Sequence, residues 1–363
     1  PAGINIPGYM GLISVGRYVD AYELILQENP LPAICGRICT RPCEEKCRRA
    51  TVDEALAICD LKRFVADYAL EHGEQKKETF PQNGKRVAII GAGPSGLSAA
   101  HYLARKGYEV EIFEAESVCG GVLAFGIPAY RLPKNVINAE VNRIKALGVK
   151  INLNSPVGEN LTFDVLKNEF DAVYVATGAQ LAQKLGVEGE DLNGVYGGLD
   201  FLKAVNLGQD VLVGDKVAVI GGGNTAIDSA RTALRKGAKQ VTILYRRDRE
   251  AMPAEELEIQ EALEEGVQIM EMVNPLRFIS DGGSLKQIEC VKMTPGAFDA
   301  SGRRRPVAVE GSNFLLDFDT AIAAVSQCTD LDFFDNAVCE LTRWKTFVVD
   351  EDTQMTSLDG VFA

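Results

Sequence analysis

Two glycine patterns and one cysteine cluster hold the residue types that could do chemistry. The stretch RVAIIGAGPSGLSAAHYLARKGYEVEIFEAE carries Gly91, Gly93 and Gly96 as G-x-G-x-x-G. The motif lies between an apolar strand, VAII, and a helix, which is the context it needs to bind a dinucleotide. Gly91 permits a sharp turn, Gly93 lets backbone approach a pyrophosphate, and Gly96 lets the helix pack on the strand. Pro94 and Ser95 open that helix, whose unpaired N–H groups and dipole favour an anion. Glu114, at the end of the next strand, can accept hydrogen bonds from a ribose diol.

The stretch KVAVIGGGNTAIDSARTALRKGAKQVTILYRR repeats the plan. Gly221, Gly223 and Ala226 form G-x-G-x-x-A, with Asn224 and Thr225 inside it. The position matching Glu114 is Tyr245, and Arg246 and Arg247 follow. An acid there would repel a 2′-phosphate, whereas guanidinium groups pair with it. The site therefore favours NADP(H), with NAD(H) the alternative; read blandly, both arginines are solvated surface charge. Two such sites in one chain imply two dinucleotides, a tightly held flavin and a nicotinamide that docks, gives hydride and leaves. Hydride transfer between cofactors needs orientation more than acid–base groups, so no catalytic side chain is assigned. The chain's two histidines, His72 in a charged stretch and His101 in a helix, do not resemble bases.

Four of the nine cysteines crowd into CGRICTRPCEEKC as Cys35, Cys39, Cys43 and Cys47, with three residues between successive ones. Pro42 argues against an unbroken helix, so the segment is expected to coil around something. An all-thiolate set suits an iron–sulfur cluster or zinc. Beside two redox nucleotides the electron-carrying cluster is favoured.

The elements that position these groups follow from the rest of the chain. Its 363 residues, 46% hydrophobic and 25% charged, support two or three packed domains. A net charge of −13 argues against nucleic acid or an anionic membrane surface as partner. No apolar run is long enough to span a bilayer and no leader is visible, so a cytoplasmic protein is expected. The chain opens at Pro1 and stops at Ala363, and is expected to be part of a longer polypeptide. YVDAYELILQEN reads as a helix ending before Pro30, and DEALAICDLKRFVADYALEHG as a second ending at Gly73. The polar stretch 71–85 is a linker candidate. Cys119 reads as filler, Cys290, Cys328 and Cys339 as buried small hydrophobes, the basic run GRRRP at 302–306 as a solvated turn, and the glutamates from Glu255 to Glu265 as a wet helix face.

In order, the segments CGRICTRPC, GAGPSG, GGVLAFGIPAYRLPK, GGGNTAIDSA and YRRDREAMPA resemble the small (beta) subunit of glutamate synthase. They are also similar to the amino-terminal half of dihydropyrimidine dehydrogenase and the larger subunit of the electron-bifurcating ferredoxin:NADP transhydrogenase. The resemblance implies FAD, NADP(H) and [4Fe-4S] clusters. It implies that the first motif with Gly120, Gly121, Ile127 and Pro128 surrounds FAD. It also implies that Gly221, Gly223, Asn224, Arg246 and Arg247 hold the nicotinamide dinucleotide, and that Cys39, Cys43 and Cys47, with Cys35 less firmly, ligate clusters. ATGA at 176–179, with Thr177 and Gly178, resembles the small-residue turn at the domain junction. Three departures are noted. Relatives carry a second cysteine group upstream of PAGINIPGY. They often supply an acidic or amide cluster ligand where Lys62 stands. They continue past GVFA with a Gly-Asp that contacts the flavin.

The expected fold is α/β, two Rossmann-like dinucleotide-binding domains with the NAD(P)H domain inserted in the FAD domain, preceded by a helical iron–sulfur domain. The expected limits are 1–80 for the iron–sulfur domain, 84–200 and 323–363 for the FAD domain, and 201–322 for the NAD(P)H domain. The expected activity passes hydride from NADPH to FAD and single electrons through [4Fe-4S] to an electron-accepting partner subunit or domain. A flavin disulfide reductase with structural zinc, disfavoured because no C-x-x-C occurs, and a non-catalytic scaffold are the alternatives.

Overall fold

The computed structural model describes residues 3–73, 79–158, 160–299, 302–334 and 339–363. The linker expectation falls partly on residues 74–78, outside the described residues. The chain forms two compact units. The first holds the described residues through Ala124, Ala129–Gly178 and Thr329–Ala363; the second holds Phe125–Pro128 and Ala179–Cys328. The sequence placed domain limits at 200/201 and 322/323. In the structure, strand Val195–Gly197 already pairs with Thr320–Ala323 of the second unit, and helix Gly198–Asn206 follows it.

The first unit is built on a five-stranded parallel sheet. Its strand order is Val361–Phe362, Ala172–Val175, Arg86–Ile90, Glu109–Phe113, Lys150–Asn152. The strand before the first glycine motif is central, and its residues 87–90 are buried, as the unbroken apolar run VAII requires of a strand covered on both faces. Helix Pro94–Arg105 packs Leu97 and Ala100 inward, each 0% exposed.

The helical segment belongs to the same unit. Helix Tyr18–Leu26 appears where apolar spacing predicts it. The second expected helix spans Ile58–His72 and ends at Gly73, but it starts five residues later than Asp53. Ile58, Val65, Tyr9, Ala21 and Ile25 form its core. A buried ion pair ties the segment to the sheet domain. Glu140, 0% exposed, accepts from the Ala33 N–H at 2.8 Å and pairs with Arg143 at 3.0 Å, while Arg143 donates to the Pro30 carbonyl. Removing one partner of such a pair strands a buried charge and costs on the order of 3–5 kcal/mol.

The second unit repeats the parallel sheet. Its order is Val195–Gly197, Thr320–Ala323, Lys216–Ile220, Gln240–Tyr245, Gln268–Glu271. Helix Asn224–Arg235 covers one face through Ala226, Ile227 and Ala230. An antiparallel sheet of Val273–Asp281, Ser284–Phe298, Arg304–Ala308 and Phe314–Asp317 covers the other, meeting Ile220 and Leu244 with Phe278 and Ile288. The acidic stretch is not simply a wet face. Arg231, only 5% exposed, lies against it and binds Glu258 and Glu261 at 2.8 Å and Glu265 at 2.7 Å. The two arginines Arg235 and Arg231 hold the Glu265 carboxyl down to about 2.

His101 is 2% exposed between the guanidinium groups of Arg105 and Arg143. Burial first, and then those two cations, push its imidazole down to about 3, so it stays neutral in the folded chain. A depressed folded value means that the unfolded chain binds the proton first. The stability contributed is full above the ordinary histidine value and is lost as pH falls from about 6.5 toward about 3. At about 1.4 kcal/mol per unit, going from pH 7 to pH 5 should cost the natural chain roughly 2 kcal/mol more than His101→Gln. Denaturant midpoints of both proteins at the two pH values check this.

Candidate functional site

Each parallel sheet carries its glycine turn at the point where strand order reverses, the place where α/β sheets bind ligands. In the first unit Gly91 has φ +106, and a Cβ there would lie 2.5 Å from the Ala176 carbonyl oxygen, at the end of the neighbouring strand. A Cβ on Gly96 would lie 2.1 Å from the Gly91 oxygen. A Cβ on Gly93 would meet nothing within 4 Å. Two glycines are therefore required by the protein's own backbone, and the third faces open space. That space lies at the N-terminus of helix Pro94–Arg105 and fits an approaching pyrophosphate.

Glu114 is buried, at 4% exposure, and each of its oxygens accepts one backbone hydrogen bond. One oxygen accepts from the Ala92 N–H at 2.7 Å and the other from the Glu116 N–H at 2.9 Å. Its first role here is to hold the glycine loop on the next strand. Gly120 donates to the Ala92 carbonyl at 2.8 Å, and a Cβ on Gly121 would sit 3.0 Å from the Gly93 Cα, so both line the same turn. Ser95 bonds the Tyr174 hydroxyl at 2.6 Å. Thr177 lies beside Gly91, and Gly178 takes φ +71. Ile127 and Pro128 fall in the other unit.

The second turn reproduces this geometry. Gly221 has φ +140, and a Cβ would lie 2.2 Å from the Ala324 carbonyl oxygen. Ala226 replaces the third glycine and is fully buried. A Cβ on Gly223 would have only the Pro253 ring near it, at 3.9 Å, so a second backbone approach to phosphate is open. Asn224 accepts from the Glu255 N–H at 3.0 Å, fixing the segment that follows the arginines; Thr225 is half-buried beside it. Tyr245 is buried. A Cβ on Gly222 would lie 2.5 Å from its ring, and its hydroxyl donates to the Ala251 carbonyl at 2.8 Å. These contacts hold the glycine turn against the segment that follows the arginines.

Arg246 is exposed, whereas Arg247 donates to the Arg304 carbonyl at 3.0 Å and pairs with Asp299 at 3.4 Å. Together with Arg303 and Arg304 they line an open cavity of about 210 Å³. The sequence reading placed GRRRP in solvent. Its arginines are exposed as expected, and the antiparallel pairing of Met293–Phe298 with Arg304–Ala308 also brings the run into one cavity lining with Arg246.

The cysteine segment breaks where Pro42 predicts. Helix Pro32–Ile38 ends with Cys39 extended, Arg41 takes φ 58, and Pro42–Glu45 starts a separate turn. Burial raises the Cys35 thiol, and backbone N–H groups, Leu56's foremost, lower that of Cys47. Lys62 is buried nearby, and its charge offsets part of the burial that pushes Cys59 up to about 11. All-thiol donors suit a cluster chemically. Among the described residues, however, no three His, Cys, Asp or Glu side chains gather into a metal-holding group. Cys35 lies within helix Pro32–Ile38 and Cys39 caps it, while Cys43 lies within the turn Pro42–Glu45 and Cys47 precedes the short turn Arg48–Thr51. Cys290 and Cys339 are buried as expected; Cys119 and Cys328 are half-exposed. No helix among the described residues is long and apolar enough to cross a membrane.

Residues 85–363 match the family model described as pyridine nucleotide-disulphide oxidoreductase. Residues 1–74 match that of dihydropyrimidine dehydrogenase domain II, 4Fe-4S cluster. The NADP(+)-dependent formate dehydrogenase subunit beta of Moorella thermoacetica is 46% identical over 100% of this chain and 55% of its own length. This chain thus spans about half of that relative. The glutamate synthase [NADPH] small chain of Azospirillum brasilense is 38% identical over 100% of this chain and 79% of its own length. Mycobacterium tuberculosis FprA in complex with NADPH aligns with a TM-score of 0.62 at 20% identity, over 70% of this chain and 74% of that one, a likeness of fold. The resemblance and the fold class drawn from the sequence are borne out.

The open space over Gly93 separates binding from folding. Gly93→Ala, at φ −72, should leave flavin-free stability within about 0.5 kcal/mol while the retained flavin falls. Gly91→Ala should lose on the order of 1–3 kcal/mol of stability as well. Denaturant midpoints and the flavin-to-protein ratio after gel filtration distinguish the two.

Proposed function

This chain belongs to the pyridine nucleotide-disulphide oxidoreductase family, and from that premise we propose that it is an NADPH-dependent flavin and iron–sulfur oxidoreductase module. In this reading it takes hydride from NADPH and delivers electrons to a partner subunit or domain. The observation that carries it is the pair of glycine turns at equivalent switch points. Each has an open approach for phosphate, but only the first has an acid at the strand end, and only the second has arginines. FAD bound at the first site supplies hydride acceptance and the change from two-electron to one-electron chemistry.

The chain's own residues do the rest. The N–H groups that follow Gly93 and Gly223 receive the two pyrophosphates. Glu114 keeps the first loop in place through two backbone N–H groups. Its carboxylate favours a ribose diol over a phosphorylated one, and Arg246 has the opposite preference. Because His101 is neutral and buried, proton transfer has no part for it. We assign the helical residues through about 80 to an iron–sulfur domain. The sheet of strand Arg86–Ile90 is assigned to FAD, and the sheet of strand Lys216–Ile220 to NADPH. The relatives named as a subunit and a small chain support a partner that accepts the electrons. A cytoplasmic setting is part of the same reading.

Anaerobic addition of NADPH to the flavin-loaded chain should bleach the flavin absorbance in a stoichiometric titration, with NADH less effective. An unbleached flavin at saturating NADPH overturns the reading.

A further inference from the structure

The basic run at 302–306 has no place in the mechanism above, yet it is built into the second site. It lies at the tip of a hairpin whose turn is closed by two backbone bonds. The Asp299 N–H donates to Arg303 at 2.7 Å and the Gly302 N–H to Asp299 at 3.0 Å. Arg247 fastens the hairpin to the end of strand Gln240–Tyr245 by donating to the Arg304 carbonyl at 3.0 Å. Its second contact is Asp299, so Arg247 works as a clamp between the two walls. The Arg304 guanidinium stacks over Phe298 at 4.8 Å, which limits its freedom.

Arg246 and the two hairpin arginines thus line one cavity with Arg247, from elements far apart in sequence. Two carboxylates also line it. Asp248 is already committed to the Ala251 N–H at 3.0 Å, and Glu250 is exposed. The balance of charge favours an anion. At about 210 Å³ the cavity is below the roughly 300–1,000 Å³ that enclose a whole drug-sized ligand. It suits one end of a dinucleotide, a phosphate with its sugar.

We propose that Arg303 and Arg304 complete, with Arg246, the subsite for the adenosine 2′-phosphate of NADPH, so that the hairpin and the strand end together set the choice between NADPH and NADH. The inference rests on the reading that a nicotinamide dinucleotide docks at the second glycine turn. Planar guanidinium forks from two directions can engage a phosphate's oxygens with charge-assisted bonds that a bare ribose hydroxyl cannot match.

The test uses the full chain with flavin bound and three variants, Arg303→Gln, Arg304→Gln and Arg246→Gln. All three positions are exposed, and flavin content reports intact folding. Calorimetric titration with adenosine 2′,5′-bisphosphate and with 5′-AMP gives the contribution of the 2′-phosphate directly. Each hairpin variant should lower the preference for the bisphosphate about tenfold or more. The ratio of kcat/KM for NADPH to that for NADH, with an artificial acceptor, should fall in parallel. If Arg246→Gln lowers both ratios and the hairpin variants leave them unchanged, the hairpin's role is overturned and the NADPH site stands. If none of the three changes either ratio, the NADPH assignment itself falls and the inference falls with it.

Discussion

Both halves of this molecule depend on one steric condition: the chain must leave a central strand and pass within contact of the carbonyl just beyond a neighbouring strand's end, where no Cβ fits. Gly91 meets Ala176 in this way and Gly221 meets Ala324. The turn directs the following helix N-terminus into the crevice where strand order reverses. Unpaired N–H groups and partial positive charge then face the space that a pyrophosphate would enter. A side chain at either position would lift the turn, rotate the helix and close that approach. The glycines next along, Gly93 and Gly223, are not demanded by the protein's own packing, and that makes them markers of ligand approach.

Charge refines what this steric plan allows. At the first strand end Glu114 is buried and spends both oxygens on backbone donors, so it is part of the loop's scaffold before it is part of any ligand site. At the second strand end Tyr245 takes the scaffold role, packing on Gly222 and bonding Ala251, which leaves the next residue, Arg246, at the surface. The same division of labour, a buried group that fixes the backbone and an exposed group beside it, recurs at Arg247 and Arg304. Elsewhere buried ions serve packing. Glu140 with Arg143 joins the helical segment to its sheet, and Arg231 gathers three glutamates.

Several elements could be read before any fold was known because their signals are local. A glycine triplet between an apolar run and a small-residue helix has few other meanings, and Pro42 cannot stand in a helix interior, so it starts a new turn. The start of the helix at Ile58 was less legible. Asp53 and Glu54 look like a helix start, yet the core contacts begin only at Ile58. The surroundings of the glutamate stretch from Glu255 and of the exposed run GRRRP were not legible, for one shared reason. A charged residue's environment is supplied by whatever packs opposite it, and here that was Arg231 in one case and the end of strand Gln240–Tyr245 in the other. An antiparallel pairing of residues 293–298 with 304–308 was the missing signal; the apolar and polar alternation there is too weak to show it.

Sequence alone determined the presence of two dinucleotide folds, the identity of their turns, the difference in charge at the two strand ends and the thiol-rich character of the amino-terminal segment. These are properties of neighbours in the chain, set by backbone sterics and residue chemistry over a handful of positions. Only the tertiary structure decided that Glu114 and Tyr245 bond the backbone of their turns, that the hairpin arginines share a cavity with Arg246, and that Cys35, Cys39, Cys43 and Cys47 are divided between successive short helices and their ends. Those outcomes depend on groups that meet through space after long stretches of chain have folded between them, and no local pattern encodes which face will meet which.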